Sequence, residues 1–423
     1  MKVGIGRKVI TPDYQPLWMN GYMARKEPGI GVAHDLWVKA LVFEESATSR
    51  VIIVTTDLLG LSHEVSEVIA DRLEKKYGIT RSQLVLNSSH THSGPPVWPS
   101  AGMFDYSTED MRNISLYSHK LIEDIVEAVE MGMKNLTPMK VWSVHGKTEF
   151  ARNRRDPKIT YRPVDYDVPI LKVATPDGAV KAILFGYACH NTTLDSDNLM
   201  ISGDYAGYAQ IELEKMYPGS TALFFLGCAG DIDPFPRGTT NDAVQHGKTL
   251  AIAVRQALGG DLKPVRAPIS AEYANIDLNF PPFDLAFYQK EIVSTNPFAQ
   301  RRAKLMILAY NKGYDVSKYH YPIHAIRFSK DLTILALAGE VVVDYSLWAK
   351  KKFADENLFV AAYSDEVMCY IPSKRILKEG GYEAKESMVY YVMPGPFDES
   401  VEQNILNGIQ QVMKKVGVEP SSE

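Results

Sequence analysis

The sequence predicts an α/β fold, a mixed β-sheet core flanked by helices, and three observations predict it. Short apolar runs such as VIIVTT, LVLNSS and ALFFLG recur along the chain. Between them lie amphipathic stretches with helical spacing, the alternation expected of α/β chains. Some neighbouring runs are joined only by turn residues, so they pair antiparallel and make the sheet mixed.

Taken in order, MKVGIGRKVITPD enters an alternating strand pattern at once. Ser62 caps a helix through HEVSEVIADRLEKKYG, with Val65, Ile69 and Leu73 on one stripe and Gly78 as its stop. The same logic places helices from about Thr108 to Met133, Asp204 to Met216, Asn241 to Leu258, Val343 to Phe353 and Ser400 to Val416. VPILKVATPDGAVKAILFGYA reads as a hairpin turned at Pro176, Asp177 and Gly178, and AIRFSKDLTILALAG as one turned at Lys330 and Asp331. Residues 281–322, rich in charge and aromatics, read as a domain boundary or a helical insertion.

With 45% hydrophobic and 23% charged residues among 423, the chain is neither disordered, collagenous nor a coiled coil. Its 46 Lys and Arg against 51 Asp and Glu give a net charge of −5, and no basic run breaks the balance, which excludes the footprint of a nucleic-acid binder. No apolar stretch reaches the roughly 18 residues of a membrane-spanning helix. The N-terminus lacks the apolar core of a signal peptide, so a cytoplasmic protein, or one whose leader has been removed, is expected. Cys189, Cys228 and Cys369, odd in number and far apart, are expected as reduced packing residues.

The chemical residues fall at strand ends. VIIVTT ends at Asp57, LVLNSS at His90 and His92, and AILFGYA at His190; ALFFLG runs into Asp231 and Asp233, LTILALA into Glu340, and LFVAAYS toward Tyr370. Carboxyl ends of neighbouring strands in α/β sheets converge on one ligand-binding edge. In SSHTHSGPP two imidazoles one residue apart face one side of an extended backbone, either as ligands or as loop anchors. With His190 and Glu340 they form an N/O set that suits zinc with an open catalytic position. The run Asn153-Arg154-Arg155 is a solvated loop or a clamp for a carboxylate or phosphate. His34, His63, His119, His145, His246, His320 and His324 carry no spacing signal. Pocket lining is expected from loops such as 98–106 and 281–322, whose Trp98, Phe104, Tyr106, Phe283 and Phe287 suit an acyl chain or a sugar face.

SSHTHSGPP resembles the GTHTHSGP motif of the neutral/alkaline non-lysosomal ceramidases. GIGRKVITPD, NGYMAR, GVAHDLWVKALVF, ARNRRDP, CHNTTL with SGDYAGYA, GCAGDIDP and LAGE resemble further segments of that family in the same order. The resemblance implies a ceramidase catalytic-domain-like fold over residues 1–423 and one catalytic zinc ion. Its ligands would be His90, His190, Glu340 and Tyr370, with His92 contacting the reacting group and Asp57 and Asp204 orienting the ligating imidazoles. Two departures are expected: Asp233 in the place of the family's serine in GDVSP, and no counterpart of the family's C-terminal sandwich-like domain within residues 1–423.

The expected function is zinc-dependent hydrolysis of an amide (N-acyl) bond in a small-molecule substrate. His92 would stabilise an oxyanion or shuttle a proton, Asp233 would act as base or hold a substrate group, and Arg154 and Arg155 would fix an anion. Two readings stay open beside it: an ester or glycoside hydrolase working through Asp231 and Asp233, and a metal-containing binding protein without catalysis.

Overall fold

Three sheets of four or five strands each carry one parallel pair, and the carboxyl ends of those pairs meet. The structure, a computed structural model, describes residues 1–46, 49–98 and 104–422. In the first sheet Ser49–Thr56 runs parallel to Leu84–Ser88, and Trp37–Ser46 and Lys2–Val9 continue it antiparallel. In the second, Val180–Tyr187 is parallel to Thr221–Leu226 and antiparallel to Asp167–Ala174, the hairpin read from PDG. In the third, Leu332–Leu337 is parallel to Leu358–Ala361 and antiparallel to Lys318–Phe328.

The α/β class is as the sequence predicts, but the six functional strand ends come from three sheets, because the hairpins extend separate sheets. Inner faces of all three share one apolar core, with Phe43, Leu184, Leu223, Phe328 and Phe359 all buried in it. Burying side chains of this size contributes about 1.5–3 kcal/mol each. Asn87, fully buried, ties the three parallel pairs together: its amide donates to Ala362 O at 2.6 Å and its oxygen accepts from Leu226 N at 2.9 Å.

Helices cover the outer faces. The helix Thr108–Lys134 lies so close to the first strand that a Cβ on Gly4 would fall 1.8 Å from Gly132 O, which is why the strand reads GIG. Ser62 caps His63–Tyr77 through Val65 N, and Gly78 ends that helix at φ 65°. Asp204–Met216, Thr240–Leu258, Val343–Lys352 and Val401–Lys415 stand where the spacing places them.

The charged segment after residue 280 is a connection between two adjacent antiparallel strands, Ile269–Asn279 and Lys318–Phe328, and carries the helices Leu285–Glu291 and Pro297–Asn311. Its sequence boundary at 322 runs past the true one, because residues 318–322 already pair in the sheet. All three cysteines are free and buried, and burial pushes their thiols up in pKa. Among the described residues, no helix is long and apolar enough to cross a membrane.

Candidate active site

The chain leaves Leu84–Ser88 and turns sharply. His90 adopts φ 60°, so the HTH segment is not the extended strand its spacing suggests; a left-handed kink breaks the alternation. Its ring still lies 4.9 Å from that of His92 and 5.0 Å from that of His190. Ligand atoms of these three histidines fall within 4.8 Å of one another. Glu340 closes the group: its Oε2 lies 2.9 Å from His190 Nε2 and 3.1 Å from His90 Nε2. A short parallel bridge sets Tyr370 beside Glu340 in register, with its hydroxyl 3.3 Å from His190 Nε2.

The other ring nitrogens decide the chemistry. His90 Nδ1 meets Leu59 O at 2.5 Å and His190 Nδ1 meets Ala229 O at 2.6 Å. A carbonyl only accepts, so each Nδ1 carries the proton and each neutral ring presents a bare Nε2 lone pair. In that tautomer both Nε2 lone pairs point at one Glu340 oxygen at hydrogen-bond distance. Burial, with Arg154 second, lowers the His190 imidazole, which disfavours a second proton there. His90 Nε2, both nitrogens of His92 and the Tyr363 hydroxyl are buried without a hydrogen-bond partner. This is the state of a site shaped for a cation, and its N/O donors fit a divalent metal.

The carboxylates expected to orient the imidazoles do not touch them. Asp57 accepts from Trp37 N at 2.9 Å and Gln210 at 3.0 Å, while Asp204 accepts from Leu194 N at 2.8 Å and from its neighbour Tyr205 N. Both brace backbone, and the carbonyls of Leu59 and Ala229 orient the rings in their stead.

His92 opens onto a cleft of about 750 Å³ whose wall includes Tyr22, Arg154, Asp233, Arg237, Tyr370 and Tyr382. Burial, reinforced by His90 and His190, lowers its imidazole well below the usual range, so the ring is neutral. It can seat there because residue 21 is glycine at φ 107°; a Cβ would lie 2.5 Å from the ring.

Asp233 reaches this cleft, its oxygens held at 3.1 Å by Arg154 and 2.7 Å by Arg237. Burial would raise its pKa, but Arg154, His190 and Arg237 outweigh that and hold it below the usual carboxylate range, which does not suit a general base. Asp231 does not reach the cleft. It is fully buried, accepts from Val343 N at 2.9 Å and Asn153 Nδ2 at 2.7 Å, and burial pushes it up to about 6. Asn153 is spent on Asp231 and Pro163 O, away from any ligand.

Nor are the arginines free for an anion. Arg155 is buried between Glu383 at 2.6 Å and Glu379 at 2.9 Å, and Arg154 binds Glu383 at 2.9 Å and the Tyr370 hydroxyl at 3.0 Å as well as Asp233. The charges are already matched inside the protein.

Sequence reasoning misses Tyr391, whose hydroxyl donates to Glu340 Oε1, and Tyr363, whose ring packs 4.6 Å from that of His90 at φ 52°. It also misses Arg237, Tyr22 and Glu383. None of them follows an apolar run directly except Tyr363, where FVAAY was the available signal. Of the loop aromatics, Phe104 borders a small apolar cavity of about 110 Å³ with Leu59, Leu61 and Val367. Phe283 and Phe287 line a different cavity of about 600 Å³. Residues 99–103 of the loop 98–106 lie outside the described residues.

An α/β scaffold of three sheets with a histidine-carboxylate centre at their joined ends is the class the geometry defines. A family model described as neutral/alkaline non-lysosomal ceramidase, N-terminal, matches residues 1–267. The chain belongs to this family. It is 27% identical over 264 residues to neutral ceramidase B of Dictyostelium discoideum, and 27% identical over 248 residues to the neutral ceramidase of Pseudomonas aeruginosa. Those alignments span 56% and 55% of this chain but only 36% and 37% of the relatives' lengths. The crystal structure of neutral ceramidase from Pseudomonas aeruginosa superposes with a TM-score of 0.76 at 18% identity, covering 100% of this chain and 75% of that one. The likeness of fold thus extends past residue 267 to Glu340 and Tyr370.

Proposed function

We propose that the protein is a hydrolase that cleaves an N-acyl (amide) bond with the help of one divalent ion, zinc by preference, held by His90, His190, Glu340 and Tyr370. The observation that carries this reading is the convergence of the His90 and His190 Nε2 atoms on one Glu340 oxygen while both Nδ1 atoms are held by carbonyls, an arrangement that a cation seated among them would satisfy. Family membership supports the amide bond, since the named relatives are ceramidases. When bound, the ion supplies Lewis acidity and brings the ionisation of water within reach of neutral pH.

The protein's own groups do the rest. Leu59 O and Ala229 O hold the ligand rings in one tautomer and orientation. His92, neutral and without an internal partner, carries one N–H and one lone pair beside the cleft, so it can donate to a developing oxyanion, or take a proton from the attacking water and then hand it to the leaving amine. Arg154 donates to the Tyr370 hydroxyl and fixes it beside His190.

The reading through Asp231 and Asp233 as paired catalytic carboxylates loses support, because Asp231 faces Val343 and Asn153 and not the cleft. An unpartnered His92 on the cleft wall favours catalysis over mere binding.

The test is release of free amine from a panel of N-acyl compounds by wild type, Glu340→Gln and His92→Ala. Loss of a ligand should cost more than the roughly 10–100-fold typical of an outer partner. Undiminished turnover in Glu340→Gln would refute the assignment.

A further inference from the structure

The chemistry of the cleft floor says what kind of molecule sits beside His92. Asp233 has a side chain 18% exposed in the cleft, and each of its oxygens is fixed by one guanidinium. A carboxylate oxygen accepts two hydrogen bonds, so each keeps acceptor capacity directed at the open space. Arg237 is itself steadied by the Tyr22 hydroxyl at 3.1 Å. The three arginines of the floor, Arg154, Arg155 and Arg237, are matched by Asp233, Glu379 and Glu383, so no cation is left over to capture a phosphate or carboxylate.

These fixed pairs, with the further carboxylate of Asp156 on the same wall, are a poor bed for an alkyl chain, because covering them with hydrocarbon strips their water without replacement. They suit a group that brings many hydroxyls and no charge. The aromatic faces of Tyr22, Tyr382 and Tyr390 line the same cleft, and Tyr382 is 41% exposed, giving flat apolar surfaces for the C–H face of a ring.

We propose that the cleft binds the uncharged, polyhydroxylated side of an N-acyl substrate, a sugar-like amine, and that Asp233 is a specificity-determining residue which accepts hydrogen bonds from its hydroxyls. Catalytic use of this site rests on the amide-hydrolase reading; binding does not.

The experiment is therefore a binding measurement. Saturation-transfer NMR is recorded on zinc-loaded protein with N-acetylglucosamine, N-acetylgalactosamine and N-acetylmannosamine, with N-acetylglutamate as the anionic probe and N-octanoylsphingosine in detergent micelles as the lipid probe. At least one amino sugar should bind, and Asp233→Ser should weaken it about ten- to hundredfold, the loss expected for hydrogen bonds to a charged acceptor. By releasing Arg237 and one nitrogen of Arg154, which keeps Glu383, the same substitution should strengthen N-acetylglutamate binding. Tyr382→Ala, at a half-exposed site, should also weaken the sugar, which guards against a folding defect in the first variant; unfolding temperatures of both are compared with wild type.

Failure of all three amino sugars to bind at about 10 mM, tighter binding of the lipid or the anion by wild type, or unchanged sugar binding in Asp233→Ser would each overturn the proposal. Amine release is read separately. Sugar binding without release from any N-acyl compound contradicts the hydrolase reading alone, whereas release from the lipid with no sugar binding contradicts this one alone.

Discussion

Among the described residues two buried carboxylates, Asp365 and Glu340, meet imidazoles that are themselves buried, and they differ in where the protons can go. Asp365 lies 2.5 Å from His324 Nε2 and 3.2 Å from Arg81. His324 Nδ1 has no partner, so the ring is free to carry its proton on Nε2 and donate it to Asp365. Glu340 meets two rings whose protons are already given to Leu59 O and Ala229 O. The first cluster closes by itself, with a guanidinium supplying positive charge; the second has room in its donor set for a cation. With comparable burial, the second nitrogen of each ring is what separates the self-contained pair from the candidate metal site.

The comparison breaks most visibly under zinc. At a free concentration about one hundred times the dissociation constant, wild type should gain about 3 kcal/mol against denaturant. His324→Ala, though weaker at the start, should gain the same, while His190→Ala should gain nothing. Equal gains in all three would remove the distinction.

Acid probes the closed cluster. Burial alone would raise Asp365, but Arg81 and His324 overcome it and hold the carboxyl down to about 2, against an ordinary 3.8. A depressed carboxylate stabilises the fold above its unfolded pKa and loses that contribution as pH falls through the folded one. Wild type should therefore exceed Asp365→Asn by about 2–3 kcal/mol at pH 5, with the gap closing between pH 4 and 2. A gap that stays constant over that window would mean the pair contributes no charge-dependent stability.

The smallest effect concerns the other oxygen of Glu340, which accepts from the Tyr391 hydroxyl. Tyr391→Phe should weaken metal binding about tenfold, at the low end for an outer partner, without abolishing it. Competition with a chelator of known affinity measures this directly.

How far the sequence discloses this site depends on how each residue is placed. His90, His190 and Glu340 are readable because each lies just past an apolar run that reads as a buried strand, LVL before His90, AILFGYA before His190 and LTILALA before Glu340, and a polar residue there needs a partner. Helix limits are equally readable at Ser62 and Gly78, where the cap chemistry is local. The orienting groups are not, since a backbone carbonyl such as Leu59 O has no signature in side-chain letters. Asp57 and Asp204 stand near the right strand ends yet point to backbone amides, a direction that spacing does not encode. Tyr391 arrives from a distant 3-10 helix, Glu386–Tyr391, and Asn87, inside a strand, ties three sheets whose separation is set by tertiary packing. The segment ARNRRDP, whose Ala151–Asn153 is a short strand paired with Ile232–Pro234, reads as an anion clamp only because its partners Glu379 and Glu383 lie more than two hundred residues away.

The central claim is that the Glu340 cluster holds a cation and the Asp365 cluster does not. Metal per chain, measured by plasma mass spectrometry on untagged wild type, His190→Ala and His324→Ala, tests it most directly. The account predicts about one divalent ion in wild type and His324→Ala and essentially none in His190→Ala. Wild type free of metal after growth and dialysis with zinc present, or His190→Ala retaining a full complement, would contradict it.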